Sequence, residues 1–331
     1  MTVEALQEAL RRIYGPTDWP KPFHLLPAVT AVRGGQSAAE AAKAVGTTVK
    51  NLQRLVDAPD IITELMGEIP PGFVEKSLKL RAIVGQLIIG NLAERVFEEM
   101  YRATVGSTEL RLEDDRFSGG DTDYLVRNGQ DRQVFRLNIK FHGSQFRKAR
   151  ELVGLEPEDC FALATYKIYS ALQKQEKEHL PYIFVVVGVP NLTGSVVGEA
   201  VPDDLVDFAT RAKYAPRVEG KRKIENAIVE AITSRPSDFG LDATLLKFQE
   251  QIKSATWRVL SARRADKLLR EQLFERAYAL RVRGFAMNYR GAELDMHFSV
   301  TSDLNLLEDM LRILRDDGLH ALSVYLERGT Y

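Results

Sequence analysis

An apolar run of eight residues, 182–189 (YIFVVVGV), limits the folds open to this chain more than any other segment. Its β-branched and aromatic residues predict a strand rather than a helix, and the run has no polar face. A strand of this kind is covered on both faces, as in a sheet that lies between layers of helices. Because a helical pattern over residues 157–177 precedes the run, we expect a mixed α/β core.

The segments before this run predict the rest of that core. A long helical pattern covers residues 73–104 and is strongly apolar in its second half, with Gly85 and Gly90 as points where the helix would break. Asn128-Gly129 predicts a hairpin turn. Short β-rich stretches lie before and around this turn, at residues 109–113, 122–126 and 134–141.

The sequence predicts three domains. Pro59 and the Pro70-Pro71 pair end a helical domain over residues 1–70. Residues 71–200 form the α/β core, and residues 201–331 complete it or supply a contact surface. In this last part we expect helices at 203–211, 221–234 and 243–280, strands at 280–288 and 293–300, a helix at 304–315 and a final strand at 321–327.

Composition excludes several classes of protein. The 45 Lys and Arg against 46 Asp and Glu give a net charge of −1, which rules out a uniformly basic coat for nucleic acid. Basic residues are concentrated in residues 247–295, with eleven Lys and Arg against six Asp and Glu. Cys160 is the single cysteine, so neither an intrachain disulfide nor a cysteine-based zinc site can form. Without a long apolar run, a signal peptide or a P-loop, we expect a cytoplasmic protein with no membrane and no nucleotide cofactor.

Polar residues that can carry chemistry are concentrated in the predicted hairpin. Asp121 and Asp123 begin its first strand, and Asn138 and Lys140 lie two residues apart on its second strand. Because side chains alternate across a strand, each pair faces one side of the sheet. Oxygen ligands on that side suit Mg²⁺, and an amine beside them can orient a water and offset phosphate charge. The pattern predicts phosphodiester hydrolysis; the other interpretation is a turn with solvated aspartates and a charged edge strand.

This arrangement resembles the PD-(D/E)xK nuclease superfamily, whose members share the restriction-endonuclease-like fold. The resemblance implies that Asp123 is the metal-binding aspartate, with Asp121 as the alternative, and that Lys140 is the catalytic lysine. Many members also carry an acidic residue near the metal on the first core helix. Glu94 matches that residue, with Glu98 as the second choice.

The resemblance covers about residues 85–190 and implies an Mg²⁺ cofactor, for which Mn²⁺ can substitute. Lys167 or Gln173, on the helix that follows the hairpin, would reach the scissile phosphate. The chain departs from the family at Asn138, where members carry a carboxylate or Gln. An amide oxygen can ligate Mg²⁺ but adds no negative charge, so Asn138 would weaken metal binding. The alternative is therefore a protein that has kept the nuclease fold and lost the ability to cleave.

Residues 36–56 (QSAAEAAKAVGTTVKNLQRLV) are similar to a helix-turn-helix. Alanines pack the first helix, over residues 37–45, Gly46 makes the turn, and Thr48 caps the second helix, over residues 48–57. The second helix would enter the major groove of DNA. The residues expected to contact bases or phosphates are Thr47, Thr48, Lys50, Asn51 and Arg54. An ordinary hairpin of two helices is the other interpretation.

Together these features predict a metal-dependent endonuclease like the type II restriction enzymes, which binds double-stranded DNA through an all-α helix-turn-helix domain. Its α/β core, with helices on both faces of a mixed sheet, would cut the DNA, and residues 201–331 would complete that core or supply a DNA-contact or dimer surface. A homodimer is expected, because two strands need two sites. The predicted catalytic residues are Glu94, Asp123, Asn138 and Lys140, and the predicted metal ligands are Asp121, Asp123 and Asn138. The alternative is a non-catalytic DNA-binding protein, either an inactive nuclease relative or a regulator.

Overall fold

The computed structural model describes residues 3–16, 18–59, 61–67, 77–118, 122–143, 161–203, 205–207, 209, 221–267, 289–290, 293–294, 297–300 and 304–328. The chain divides into two compact units, each built from two stretches of sequence. The first unit comprises Met1–Asn91 and Thr193–Phe248, and the second comprises Leu92–Leu192 and Gln249–Tyr331. The domain boundaries predicted at residues 70 and 200 stay predictions.

Both helices and strands are present, as the sequence predicts. The helices are α1 (Val3–Tyr14), α2 (Leu26–Arg33), α3 (Ala38–Ala44), α4 (Val49–Asp57), α5 (Ile61–Met66), α6 (Ser77–Val105), α7 (Thr165–Glu178), α8 (Gly194–Ala200), α9 (Lys221–Ser234), α10 (Asp242–Lys253), α11 (Leu307–Asp316) and α12 (Gly318–Arg328). The strands are β1 (Arg111–Asp114), β2 (Tyr124–Arg127), β3 (Gln133–His142), β4 (Phe161–Ala164), β5 (Tyr182–Gly188), β6 (Trp257–Ser261), β7 (Tyr289–Arg290), β8 (Glu293–Leu294), β9 (His297–Val300) and β10 (Asn305–Leu306). None of the helices in the described ranges combines the length and apolar character needed to cross a membrane.

A buried carboxylate holds helices of the first unit together. Glu230 on α9 is 1% exposed. Arg12 Nη1, from α1, donates to its Oε1 at 2.6 Å, and Asn91 Nδ2, from α6, donates to its Oε2 at 2.9 Å. Because a buried charge is tolerated only when it is paired and hydrogen-bonded, this network fixes α1 and α6 against α9.

Gly85 allows α6 to approach α8 closely within the first unit. A Cβ atom at this position would overlap the carbonyl oxygen of Gly194 and lie 2.5 Å from the amide nitrogen of Gly198. At Gly90, by contrast, an added Cβ would meet no atom within 4 Å. The predicted break at one of these glycines was wrong, because α6 is continuous through both. Gly85 serves helix packing rather than a kink.

The second unit contains a six-stranded mixed sheet with the strand order β1-β2-β3-β5-β6-β10. β3 and β5 run parallel, and the other neighbours run antiparallel. β5 is buried at every residue except its last, Gly188, which confirms the strand predicted from the apolar run. Two smaller sheets pair β4 with β9 and β7 with β8.

Helices lie on both faces of this sheet. Alternate residues of β5 face opposite sides, and on one side α7 packs through Ile168 against Tyr182 and Phe184. On the other side the ring of Phe97, from α6, lies 5.6 Å from the ring of Tyr124 and 6.5 Å from that of Trp257. The mixed α/β prediction is therefore confirmed, whereas the restriction-endonuclease-like topology stays a prediction.

β2 and β3 form the predicted hairpin, with Tyr124 opposite Leu137. The chain reverses over residues 128–132 rather than in a two-residue turn. Asn128 N donates to the carbonyl oxygen of Arg132 at 3.0 Å, and Asp131 N donates to that of Asn128 at 2.9 Å. This register sets which polar residues of the hairpin meet.

Two element predictions in the C-terminal part were wrong. Residues 321–327 belong to α12, because leucines at helical spacing, Leu319, Leu322 and Leu326, line one side of it. The helix predicted over residues 243–280 ends at Lys253. Residues 257–261 form β6 instead, which pairs with β5 and β10. The helix predicted over residues 157–177 was wrong at its start, because residues 161–164 form β4 and pair with β9, so that α7 begins at Thr165. Residues 157–160 and the predicted strand at 280–288 lie outside the described residues.

Candidate functional site

Asp123 lies at the start of β2 and is anchored to β3 by two hydrogen bonds. Its backbone N–H donates to the carbonyl oxygen of Leu137 at 3.0 Å. Its carboxylate Oδ2 accepts from the backbone N–H of Ile139 at 2.5 Å. A carboxylate that binds a backbone amide in the neighbouring strand is fixed in position. Because Leu137 and Ile139 flank Asn138 in β3, Asp123 lies opposite Asn138, which is only 4% exposed.

Glu94 reaches this point from α6. The hydroxyl of Tyr124 donates to the backbone carbonyl oxygen of Glu94 at 3.0 Å, which ties the helix to β2. Arg116 Nη1 donates to Glu94 Oε2 at 2.9 Å. The guanidinium is itself held by Asp114, through Nε at 2.9 Å and Nη2 at 2.6 Å. With a side chain only 4% exposed, Arg116 orients Glu94 through charge-assisted hydrogen bonds.

Burial disfavours the ionised form of both Glu94 and Asp123, called the acidic pair below. Burial, followed by the charge of Asp123, raises the pKa of Glu94 from its ordinary value of 4.5 to about 7, against the charges of Arg116 and Lys140. Burial also raises the pKa of Asp123, and the charges of Lys140, Arg116 and Lys167 oppose that shift. The charges of Arg116 and Lys140 therefore act on both carboxylates, and the charge of Lys167 acts on Asp123.

The two lysines predicted for the site differ in how they reach it. Lys140 Nζ donates to the carbonyl oxygen of Ile139 at 3.2 Å, beside the backbone amide that binds Asp123. Lys167 lies in the first turn of α7 and acts on Asp123 through its charge. The structure thus brings Glu94, Asp123, Lys140 and Lys167 together. Gln173 is exposed on α7, and Asp121 lies outside the described residues.

Arg116 was missed by sequence reasoning, as was the contact between Lys174 and Thr122. Lys174 Nζ, on α7, donates to the hydroxyl of Thr122 at 3.2 Å, directly before Asp123. A signal for Arg116 is present in the sequence, because it follows three consecutive acidic residues, 113–115. No comparable signal exists for Lys174, since its contact depends on how α7 packs on the sheet.

The acidic pair supplies oxygen donors for a divalent cation. Within the described ranges, no group of three or more His, Cys, Asp or Glu side chains is placed to hold a metal ion. Mg²⁺, however, usually keeps several waters and needs only one or two carboxylates. Glu94 and Asp123 provide two, and Asn138 adds a buried amide oxygen. The charge of a divalent cation would also favour the ionised form of both carboxylates, whose pKa values burial raises, so the residues present fit Mg²⁺ or Mn²⁺.

A second candidate site lies in the first unit, where α2, α3 and α4 pack against one another. Gly46 adopts a left-handed conformation, with φ of 65°, in the turn between α3 and α4. Thr48 caps α4, as predicted, and its side-chain oxygen accepts from Asn51 N at 3.1 Å. Leu52 and Leu55 are buried, as the helix-turn-helix pattern requires.

The predicted DNA-contacting residues of α4 are linked by hydrogen bonds. Asn51 Nδ2 donates to the hydroxyl of Thr47 at 2.9 Å, and Arg54 Nη2 donates to Asn51 Oδ1 at 3.3 Å. Arg54 also forms an ion pair at 2.7 Å with Glu64, from α5. Lys50 is exposed. Arg54 is thus held by an acidic neighbour that any phosphate ligand would have to displace.

Known protein families, curated proteins and solved structures give no match to this chain. The chemistry of both sites is therefore inferred from their own residues. The basic segment, residues 247–295, lies partly outside the described residues.

Proposed function

We propose that this chain is a divalent-metal-dependent nuclease that hydrolyses phosphodiester bonds in double-stranded DNA. The observation that carries the proposal is the acidic pair with Lys140 beside it. Burial disfavours the ionised form of both carboxylates, and the charge of Asp123 disfavours that of Glu94 as well, which is a costly arrangement for folding alone. Perturbed carboxylates of this kind are concentrated at functional sites.

Each residue of the site has a distinct role in this proposal. Glu94 and Asp123 would hold the cation, with the amide oxygen of Asn138. A bound Mg²⁺ or Mn²⁺ supplies a lowered pKa for a coordinated water and stabilises charge on the phosphate. Lys140 and Lys167 place positive charge beside the acidic pair, where it offsets the charge of the scissile phosphate. Arg116 keeps Glu94 oriented.

The helix-turn-helix supplies DNA docking in this proposal. Lys50 and Arg54 on α4 would contact DNA in the major groove, and Thr47, Thr48 and Asn51 would act at the start of that helix. A homodimer would cut both strands with two copies of the site. The proposed enzyme is therefore similar in organisation to a type II restriction endonuclease.

A non-catalytic DNA-binding protein is the second candidate function. Asn138 favours it, because a neutral amide stands where the resemblance implies a carboxylate or Gln. The ion pair between Arg116 and Glu94 also favours it, since a carboxylate already held by a guanidinium is a weaker ligand for a metal. Under this proposal the helix-turn-helix would retain DNA binding and the acidic pair would bind no cation.

Metal binding distinguishes the two candidates. We expect Mg²⁺ or Mn²⁺ to raise the melting temperature of the wild-type protein, because a ligand that binds only the folded state stabilises it. Asp123→Asn should abolish this effect. Glu99→Gln, at an exposed position on the same helix as Glu94, is the matched control and should keep it.

The same preparations should be tested for binding to duplex DNA. Metal-dependent stabilisation that is lost only in Asp123→Asn supports the nuclease. DNA binding without any metal effect supports the second candidate. Absence of both would contradict the two proposals together.

A further inference from the structure

Two lysines on one face of α7 reach the same short segment of the chain. Lys167 and Lys174 are seven residues apart, which is close to two helical turns, so their side chains share a face. Lys174 Nζ donates to the hydroxyl of Thr122 at 3.2 Å, and the charge of Lys167 acts on Asp123. Both cations therefore lie beside the start of β2.

Lys174 keeps its positive charge available. Within the described ranges its ammonium forms no ion pair; its hydrogen bond goes to the neutral hydroxyl of Thr122, which is 1% exposed. Arg136 approaches the same hydroxyl at 3.4 Å but is neutralised by Asp115 and Glu178. Lys174 is partly exposed, and an ammonium held by a neutral group can bind an anion without first losing an acidic partner.

The spacing of the two lysines suits the backbone of a nucleic acid. Seven helical residues separate their Cα atoms by about 10 Å along α7. One strand of duplex DNA presents a phosphate about every 3.4 Å along its axis. Lys167 and Lys174 would therefore contact different phosphates of one strand, the first at the acidic pair and the second farther along.

We propose that Lys174, held by the hydroxyl of Thr122, forms a phosphate-binding subsite, which holds the DNA strand along α7 beyond the phosphate at the acidic pair. This inference rests on the proposed function and adds to it a direction for the bound strand. Lys174 would contact the backbone and no base, so it would contribute affinity and no sequence preference.

Salt-dependent DNA binding tests the subsite. The full-length protein and its variants are titrated with two duplexes of unrelated sequence at several salt concentrations, in the absence of divalent metal. Loss of one phosphate contact lowers the slope of log affinity against log salt by about 0.9, which is about an eightfold loss of affinity at 0.1 M salt. We expect this change for Lys174→Gln, equally on both duplexes.

Two controls separate position from charge. Lys177→Gln removes the same charge from an exposed position on the same helix and should leave both quantities unchanged. Lys174→Arg keeps the charge and should retain the wild-type slope. A melting curve checks that each variant folds.

The outcomes separate the subsite from the proposed function. If the wild type binds both duplexes and Lys174→Gln behaves like Lys177→Gln, the subsite is overturned and the nuclease proposal stands. If the loss in Lys174→Gln depends on the sequence of the duplex, the subsite as a backbone contact is overturned. If the wild type shows no salt-dependent DNA binding, both proposals are overturned.

Discussion

Replacing Glu94 by Gln should make the protein more stable at alkaline pH. Gln has the shape of a protonated glutamate, and its side-chain oxygen can still accept from Arg116. It cannot take the negative charge that burial and Asp123 disfavour at this position. The substitution therefore removes a cost to folding and keeps the packing.

The size of the effect follows from the pKa of Glu94. Between its ordinary value of 4.5 and its folded value of about 7, the folded protein holds a proton that the unfolded chain has released. The stability of the wild type therefore falls as the pH rises through this window. One pKa unit corresponds to about 1.4 kcal/mol, so the total cost is about 3 kcal/mol, most of it between pH 5 and pH 8.

Urea unfolding at pH 5 and pH 8 measures this difference. Relative to Glu94→Gln, the wild type should lose about 2.5 kcal/mol of unfolding free energy between the two pH values. Glu99→Gln should follow the wild type, because Glu99 is exposed. Equal pH dependence in the wild type and Glu94→Gln would refute the argument that burial and Asp123 penalise the ionised carboxylate.

Four further substitutions test three other parts of the structure. Glu64→Gln should raise affinity for duplex DNA two- to fivefold, roughly the value of one exposed ion pair, because Arg54 is released; unchanged or weaker binding would contradict this. Gly85→Ala should lower the unfolding free energy by about 2–3 kcal/mol through overlap with backbone atoms, whereas Gly90→Ala should raise it by roughly 1 kcal/mol; equal effects would refute the packing argument. Glu230→Leu should cost about 3 kcal/mol, because its arginine and asparagine partners lose their acceptor; urea unfolding near the wild-type value would show that the network contributes little.

Local sequence signals predicted the central elements of the fold. The apolar run at β5 and the hairpin of β2 and β3 depend on residue types within a few positions, and both are present. β6 was missed because its pairing with β5 and β10 is non-local, and charged residues around it, Lys253, Arg258 and Arg263, favour a helical interpretation. α12 was missed because a short apolar alternation in residues 321–327 also fits a strand.

The residues of the candidate site were also predictable only in part. Spacing along the chain singled out Asp123 and Lys140, and the preceding helix singled out Glu94, all of which the fold brings together. Arg116 and Lys174 could not be assigned, because their contacts depend on a loop conformation and on the face that α7 presents to the sheet. Residues that act through tertiary packing leave little pattern in a single sequence.

Cleavage of duplex DNA is the decisive assay for the proposed nuclease. Long unmodified and modified duplexes are incubated with Mg²⁺ or Mn²⁺ and either the wild-type protein or Lys140→Ala. We expect DNA fragments with the wild type, in a metal-dependent reaction, and intact DNA with Lys140→Ala. Bound but uncut DNA on every substrate would contradict the nuclease and favour the non-catalytic DNA-binding protein.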